Sequence, residues 1–167
     1  MAIIDVLAQF ADKVSVASGF NVGSAVLGDV MDLGAMTSKI NANSSAALYR
    51  NEGNGKPMKL EVDVVTDLLA SGGASTVEFK LVSAPTADLT TNGGTLWTSG
   101  AIAKASLVAG YKMAAFLPDV ATYQRYLGIV ATVASNNLTA GTVSASLRRD
   151  VSDTTAYPSG IADPART

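Results

Sequence analysis

The chain has 167 residues, of which 48% are hydrophobic and 16% are charged, with a formal net charge of −2. Cysteine and histidine are both absent. Thiolate and imidazole catalysis, disulfides and the usual zinc sites are therefore excluded. The near-neutral charge gives no electrostatic reason to expect nucleic acid or membrane as a partner.

The low charge also bears on how the protein stays soluble. An average soluble domain has about 25% charged residues, so parts of this surface are expected to be covered by protein neighbours. A close-packed β fold that needs short side chains is an equally good explanation. The length suits one domain with a single core.

Residues 1–12 are predicted to form a short amphipathic helical segment. Its apolar side is formed by Ile3, Ile4, Leu7, Ala8, Phe10 and Ala11. Such a segment is too short to be stable alone, so it must pack against its own domain or insert into a neighbouring subunit. Because an acidic residue, Asp5, stands where a secretory signal would have basic ones, we expect synthesis in the cytoplasm.

The domain proper is predicted to span residues 13–150. Strand candidates begin with residues 13–17 and 26–33, followed by a long surface loop at 37–56 that is rich in Asn, Ser and Gly. Residues 59–66 alternate with period two, with Leu60, Val62 and Val64 on one side. After the turn signal at 71–74, residues 77–81 alternate again, and the two runs are predicted to pair.

The second half repeats this pattern of strands and turns. Residues 96–103 and 111–117 are weaker strand candidates. Residues 123–134 look partly covered on both faces, and the turn formers at 136–141 lead to an alternating run at 143–147, predicted as its pairing partner. Residues 151–167 are expected to be an extended tail. About eight strands with no long helical pattern predict an all-β, antiparallel jelly-roll sandwich.

Candidate reactive groups are few. The acidic residues Glu61, Asp63 and Asp67 lack the spacing of a calcium loop, so a solvated strand face is favoured over a metal site. The pair Arg148 and Arg149 is interpreted as a salt-bridging pair rather than a nucleic-acid contact. We expect no catalytic residue, no metal and no cofactor, and hence no enzyme.

Six short stretches between residues 26 and 150 form a recognisable series: 30–34 (VMDLG), 71–81 (SGGASTVEFKL), 98–102 (TSGAI), 117–118 (LP), 125–129 (RYLGI) and 139–147 (TAGTVSASL). In these stretches and in their order the sequence resembles the capsid cement, or decoration, proteins of tailed bacteriophages. These are strand-and-turn phrases rather than catalytic motifs. The first 12 residues and the tail after Asp150 do not match the family.

The resemblance implies a jelly-roll virion protein that forms a homotrimer on the outside of the capsid. Such a trimer would sit at three-fold and quasi-three-fold positions and clamp the major capsid protein. The residues expected to contribute contacts are Ile3, Ile4, Leu7, Phe10, Tyr49 and Arg50.

Two other classes of function remain open at this stage. A carbohydrate- or receptor-recognition sandwich of a phage tail or fibre would use Trp97 with Tyr111, Tyr123 and Tyr126 as a platform. A hydrolase without histidine would need two facing carboxylates in a pocket.

Overall fold

A computed structural model describes residues 9–16, 20–36, 48–49, 58–89, 91, 93–117 and 123–149. These residues contain twelve strands and one short 3₁₀ helix, Lys104–Ser106. The strands are β1 (Gln9–Ser15), β2 (Gly23–Val26), β3 (Met31–Asp32), β4 (Ala35–Met36), β5 (Leu48–Tyr49), β6 (Met58–Ala70), β7 (Thr76–Ala84), β8 (Gly94–Thr98), β9 (Ile102–Ala103), β10 (Lys112–Phe116), β11 (Tyr126–Ala134) and β12 (Leu138–Arg149).

The strands form two main antiparallel sheets. Sheet 1 has the order β1-β12-β6-β10, and sheet 2 has the order β2-β11-β7-β8. In sheet 2, β3 pairs with the part of β11 that β2 leaves uncovered, and β9 pairs with the part of β7 that β8 leaves uncovered. Each short strand therefore lengthens one edge of the sheet. If β2 and β3 are counted as one strand, and β8 and β9 as another, each sheet has four strands. The chain passes between the two sheets in the order of a jelly roll. The predicted fold class is therefore confirmed.

Both predicted hairpins are wrong, because the strands that follow each other across tight turns lie in different sheets. Strand β6 pairs with β12 along almost its whole length, and β7 pairs with β11 over nine residue pairs. The connections at residues 71–75 and 135–137 carry the chain from one sheet to the other. The two connections also bind each other, since Ser71 N–H donates to Asn137 O (3.0 Å) and Ser75 Oγ donates to Asn136 O (3.1 Å).

The core lies between the inner faces of the two sheets. The alternation predicted for β6 and β7 is confirmed, because Leu60, Val62 and Val64 are buried together with Phe79 and Leu81. Burial of such side chains stabilises the fold by about 1.5–3 kcal/mol each before entropy is counted.

A second apolar cluster covers the outside of sheet 2. Val82, Ala84 and Val130 project outward there, and Leu89 from the β7–β8 connection packs over them. Gly128 of β11 permits this approach, since a Cβ at that position would lie 2.6 Å from Leu89 Cδ1. Strand β11 is thus covered on both faces, as its sequence predicts.

The N-terminal prediction is wrong for residues 9–12. These residues belong to strand β1, which pairs with β12, so the predicted domain boundary after residue 12 falls inside a strand. Phe10 is only 1% exposed and lies in the main core. The physical reason is that docking on β12 pairs the backbone of these residues and buries Phe10 in the same step.

The long loop predicted at residues 37–56 contains one strand, because Leu48–Tyr49 pairs with Ala35–Met36. The other residues of this loop and the predicted tail at 151–167 lie outside the described residues. Within the described part of the chain, no helix has the length and apolar character needed to cross a bilayer.

Candidate interaction surfaces

Two of the three acidic residues considered in the sequence, Glu61 and Asp63, form ion pairs on the outer face of sheet 1. Glu61 lies 3.0 Å from Arg148 Nη1 and 3.8 Å from Lys112 Nζ, and Asp63 lies 3.7 Å from the same lysine nitrogen. The side chains of Glu61 and Asp63 are only 15% and 22% exposed, so the strand face is less solvated than predicted. The predicted salt bridge of Arg148 is confirmed.

This cluster has no metal-binding geometry. Asp67 turns away from the other two carboxylates, since its Oδ1 accepts a hydrogen bond of 2.7 Å from Ala109 N–H. No group of three or more potential metal ligands occurs among the described residues. The two remaining carboxylates lie close to cations, and the Oδ1 atom of Asp63 is buried without a hydrogen-bond partner among the described residues.

The aromatic residues considered as a sugar-binding platform are distributed over two separate clusters. Tyr123 is buried in the main core, and Trp97 and Tyr111 pack against that core. Tyr126 instead packs against the outer cluster of sheet 2. These rings fill the interior and one sheet surface, and the structure does not bring all four to a common platform.

An ion pair ties β3 to the start of β11. Arg125 Nε and Nη2 donate to the two carboxylate oxygens of Asp32 at 3.1 and 2.9 Å, and the guanidinium lies 5.0 Å from the centre of the Tyr126 ring. The hydrogen bond from Arg125, with a second one from Gly34 N–H, lowers the pKa of Asp32 from its ordinary value. This clamp fixes the point at which the chain leaves β3 toward the long loop.

A comparable polar contact lies on the edge of sheet 2. Thr98 Oγ1 donates to Glu78 Oε1 at 2.7 Å, and Lys80 Nζ lies 3.0 Å from the other carboxylate oxygen. The hydrogen bond from Thr98 and then that from Lys80 lower the pKa of Glu78. Both acidic groups are accounted for by local partners, so neither is a candidate general acid.

The register of the strands gives the sandwich two distinct ends. One end, the turn end, holds the compact connections at residues 71–75 and 135–137. The other, the loop end, is where the described chain enters β1 at Gln9 and leaves β12 at Arg149, which pairs with Met58. Asp32, where β3 ends before the long loop, and Phe116 belong to the same end, since they pair with Tyr126 and Lys59.

The predicted contact residues fall into three groups. Phe10 is a core residue and cannot serve as a surface contact. Ile3, Ile4, Leu7 and Arg50 lie outside the described residues. Tyr49 lies in β5, where it pairs with Ala35. What the structure adds is that the segments carrying all of these residues join the sandwich at the loop end.

Sequence reasoning missed the exposed apolar side chains. Phe116 is 58% exposed on β10 at the loop end. Val22, Leu69 and Val108 are about half exposed at the turn end, where Val22 N–H donates to Asn137 Oδ1 and Leu69 pairs with Ala140. The exposure of Phe116 could have been predicted from the period-two alternation of β10, because Phe116 lies on the same outward side as Lys112 and Ala114.

Two comparisons with known proteins bear on the family to which the chain belongs. No curated protein matches the sequence. The family model described as Bbp16 matches residues 16–147, a range that runs from the end of β1 to near the end of β12. Since this match spans most of the chain and nearly the whole sandwich, the protein belongs to the Bbp16 family.

Proposed function

We propose that the protein is a virion structural protein that cements the capsid of a tailed bacteriophage. In this proposal a homotrimer binds the outer surface of the head at three-fold and quasi-three-fold positions and holds adjoining major capsid protein subunits together. The resemblance of residues 26–150 to decoration proteins supports it, and the name of the Bbp16 family suggests a phage protein.

The observation that carries the proposal is the convergence of connecting segments at the loop end. Residues 1–8, the connection from 37 to 57 and the residues after Arg149 all join the sandwich there. The first of these segments carries the predicted contact residues Ile3, Ile4 and Leu7, and the second carries Tyr49 and Arg50. A rigid sandwich with its connecting segments gathered at one end is suited to gripping several neighbours from one side.

The mechanism requires no chemical step. A protein that binds the assembled lattice and not the separated subunits stabilises the lattice by mass action, by about 2.7 kcal/mol per site at a hundredfold excess over Kd. Three contacts on one trimer reinforce one another through effective concentration.

The proposal is tested by sedimenting the full chain with purified expanded heads. Binding that saturates at a fixed ratio to the major capsid protein, with a raised temperature of head disruption, is the expected result. Failure of the full chain to sediment with heads over a range of salt and protein concentrations would overturn the proposal.

Two variants locate the contact. Deleting residues 1–8 leaves β1 intact, and Arg50→Ala leaves the two pairs of β4 and β5 in place. A tenfold loss per subunit becomes up to about a thousandfold for a trimer that engages three sites. The matched control is Val108→Ser at the turn end, which should bind like the unchanged protein. The opposite pattern would place the contact at the turn end.

A further inference from the structure

The outer edge of β10 is the most regular free edge of the two main sheets. Strand β10 pairs with β6 through five consecutive residue pairs with no irregularity. The β1 edge has two register shifts and a left-handed residue, Lys13 (φ 50°), and β8 has one shift. Strand β2 is only four residues long and begins at Gly23 (φ 128°). Bulges and short strands are the usual protection against edge pairing, and β10 has neither.

The register identifies which backbone groups are free. Leu117 N–H donates to Met58 O and Val64 N–H donates to Tyr111 O, both at 2.9 Å, so the odd-numbered residues of this segment face β6. Antiparallel pairing alternates the direction of successive residues. The N–H and C=O groups of Lys112, Ala114 and Phe116 therefore point away from the sheet and have no backbone partner within the described residues.

This edge is complementary to itself. If two copies of β10 pair antiparallel around Ala114, each Ala114 faces its counterpart and each Lys112 faces the Phe116 of the other copy. All the free backbone groups are then used, in about six hydrogen bonds. The small side chain at the axis would permit close approach, and Lys112 would lie beside the exposed Phe116 ring of the other copy, an attractive arrangement.

Charge does not oppose this pairing. Lys112 is the only charged residue of β10, and Glu61 and Asp63 of its own copy lie 3.8 and 3.7 Å from its ammonium group. An edge lysine normally discourages pairing, but here its charge is partly compensated and it would face a ring rather than another cation. The buried inner side of β10, which includes Met113, continues the core up to the edge.

We propose that the β10 edge is a two-fold docking surface for a second copy of this chain. Sheet 1 of one copy and sheet 1 of the other would then form one continuous eight-stranded sheet. The inference rests on β10 alone and goes beyond the proposed function. Because the contact has two-fold symmetry, in a three-fold assembly it would connect one trimer to the next. A strand pair of this length buries less than a stable obligate dimer needs, so the contact is expected to strengthen with local concentration.

Cross-linking tests the register directly. The chain has no cysteine, so Ala114→Cys introduces a single exposed thiol. In the proposed pair the two Cα atoms at position 114 are about 5.5 Å apart, within the range of a disulfide. Mild oxidation of the full chain should give a covalent dimer, whereas the control Val108→Cys, exposed at the turn end, should remain monomeric on a denaturing gel. Equal cross-linking of the two variants would overturn the proposal.

Two substitutions of Phe116 test the predicted neighbours. Phe116→Glu places a carboxylate opposite Lys112 of the second copy, and Phe116→Lys places a cation there, each twice per dimer. Sedimentation equilibrium should show association about tenfold or more tighter for the glutamate variant than for the lysine variant, with the difference reduced by salt. Equal weakening by both would indicate a nonspecific apolar contact and would overturn the register.

Other occupants of the edge give distinguishable results. If Ala114→Cys cross-links only after residues 150–167 are removed, that segment of the same chain covers β10 and the proposal is wrong. If the full chain stays monomeric in all assays yet Ala114→Cys becomes protected on heads, the capsid protein occupies the edge instead. The cross-linking and sedimentation-equilibrium assays use the free protein, so the β10 proposal can fail while the chain still binds heads, and head binding can fail while β10 still pairs.

Discussion

Replacing Gly28 by alanine should reveal how much stability depends on the docking of β1. Gly28 follows β2 with φ 73°, and a Cβ there would collide with the backbone carbonyl of Phe10 and lie 3.1 Å from both Cα and Cβ of Ala11. The obstacle is main chain, which cannot rotate aside as a side chain can. Relief therefore requires β1 to move away from the loop that crosses it.

The magnitude follows from what that movement breaks. An alanine in the left-handed region costs about 1–2 kcal/mol. The hydrogen bond from Asp29 N–H to Phe10 O, 2.6 Å long, contributes about 0.5–1.5 kcal/mol. Phe10 is almost fully buried, and partial displacement adds a fraction of the roughly 3–5 kcal/mol that removing such a ring costs. We expect a total loss of about 3–4 kcal/mol.

The matched control is Gly100→Ala. Gly100 has nearly the same backbone conformation, φ 68°, but a Cβ there meets nothing within 4 Å. It should lose only the conformational term of about 1 kcal/mol. The difference between the two variants thus isolates the close contact between Gly28 and β1.

Urea unfolding followed by circular dichroism measures both. With a slope of about 2 kcal/mol/M, the midpoint should fall by about 0.5 M for Gly100→Ala and by about 1.5–2 M for Gly28→Ala. Equal shifts for the two variants would refute the reasoning, because they would mean that residues 9–12 contribute little to the sandwich.

Three further predictions concern polar and apolar contacts. The pKa of Asp32 is lowered in the folded state, so its ion pair stabilises the fold at neutral pH, and this contribution is lost as the pH falls below the ordinary value of 3.8. The urea midpoint of the Asp32→Asn variant should therefore depend less on pH in that range than the midpoint of the unchanged protein. Leu89→Ala should cost about 2–3 kcal/mol by emptying the outer cluster, whereas Leu69→Ala, half exposed, should cost less than about 0.5 kcal/mol, both measured by urea unfolding. Arg148→Met should cost about 1 kcal/mol because Glu61 loses its nearest cation, and double substitution with Glu61→Gln should recover part of the loss.

Local pattern was sufficient to predict strands but not their partners. Period-two alternation fixes which face of a strand is buried, so the inward positions of β6, such as Leu60, could be read directly from the sequence. The turn at residues 71–75 looks the same whether it closes a hairpin or crosses between sheets. The choice depends on β12, more than sixty residues away, which occupies the edge of β6 that a hairpin would use.

The N-terminal segment was ambiguous for a related reason. Apolar residues at positions 7, 8, 10 and 11 satisfy helical spacing, yet Phe10 and Ala11 are both buried in an irregular strand whose register shifts between Gln9 and Ala11. A bulge breaks the alternation that marks a strand. The contact that permits this path, the carbonyl of Phe10 against Gly28, joins residues that no local rule connects.

The candidate surfaces show the same division between local and distant information. That Phe116 faces outward was available from the parity of residues 111–117, but its position on a free edge required knowing that β10 is the last strand of sheet 1. That the chain enters β1 and leaves β12 at the loop end likewise follows from these two strands being antiparallel neighbours, and the pairing of Met58 with Arg149 brings the long loop to the same end.

The antiparallel pairing of β1 with β12 also gives the two ends of the sandwich different roles. Since β1 and β12 run antiparallel side by side, the chain enters β1 and leaves β12 at the same end. The opposite end holds the short connections at residues 71–75 and 135–137 and the longer one at 99–111. The two short connections are joined by the hydrogen bonds from Ser71 N–H to Asn137 O and from Ser75 Oγ to Asn136 O. Segments at the loop end can therefore engage a partner, and β10 a second copy, without opening the core between the sheets.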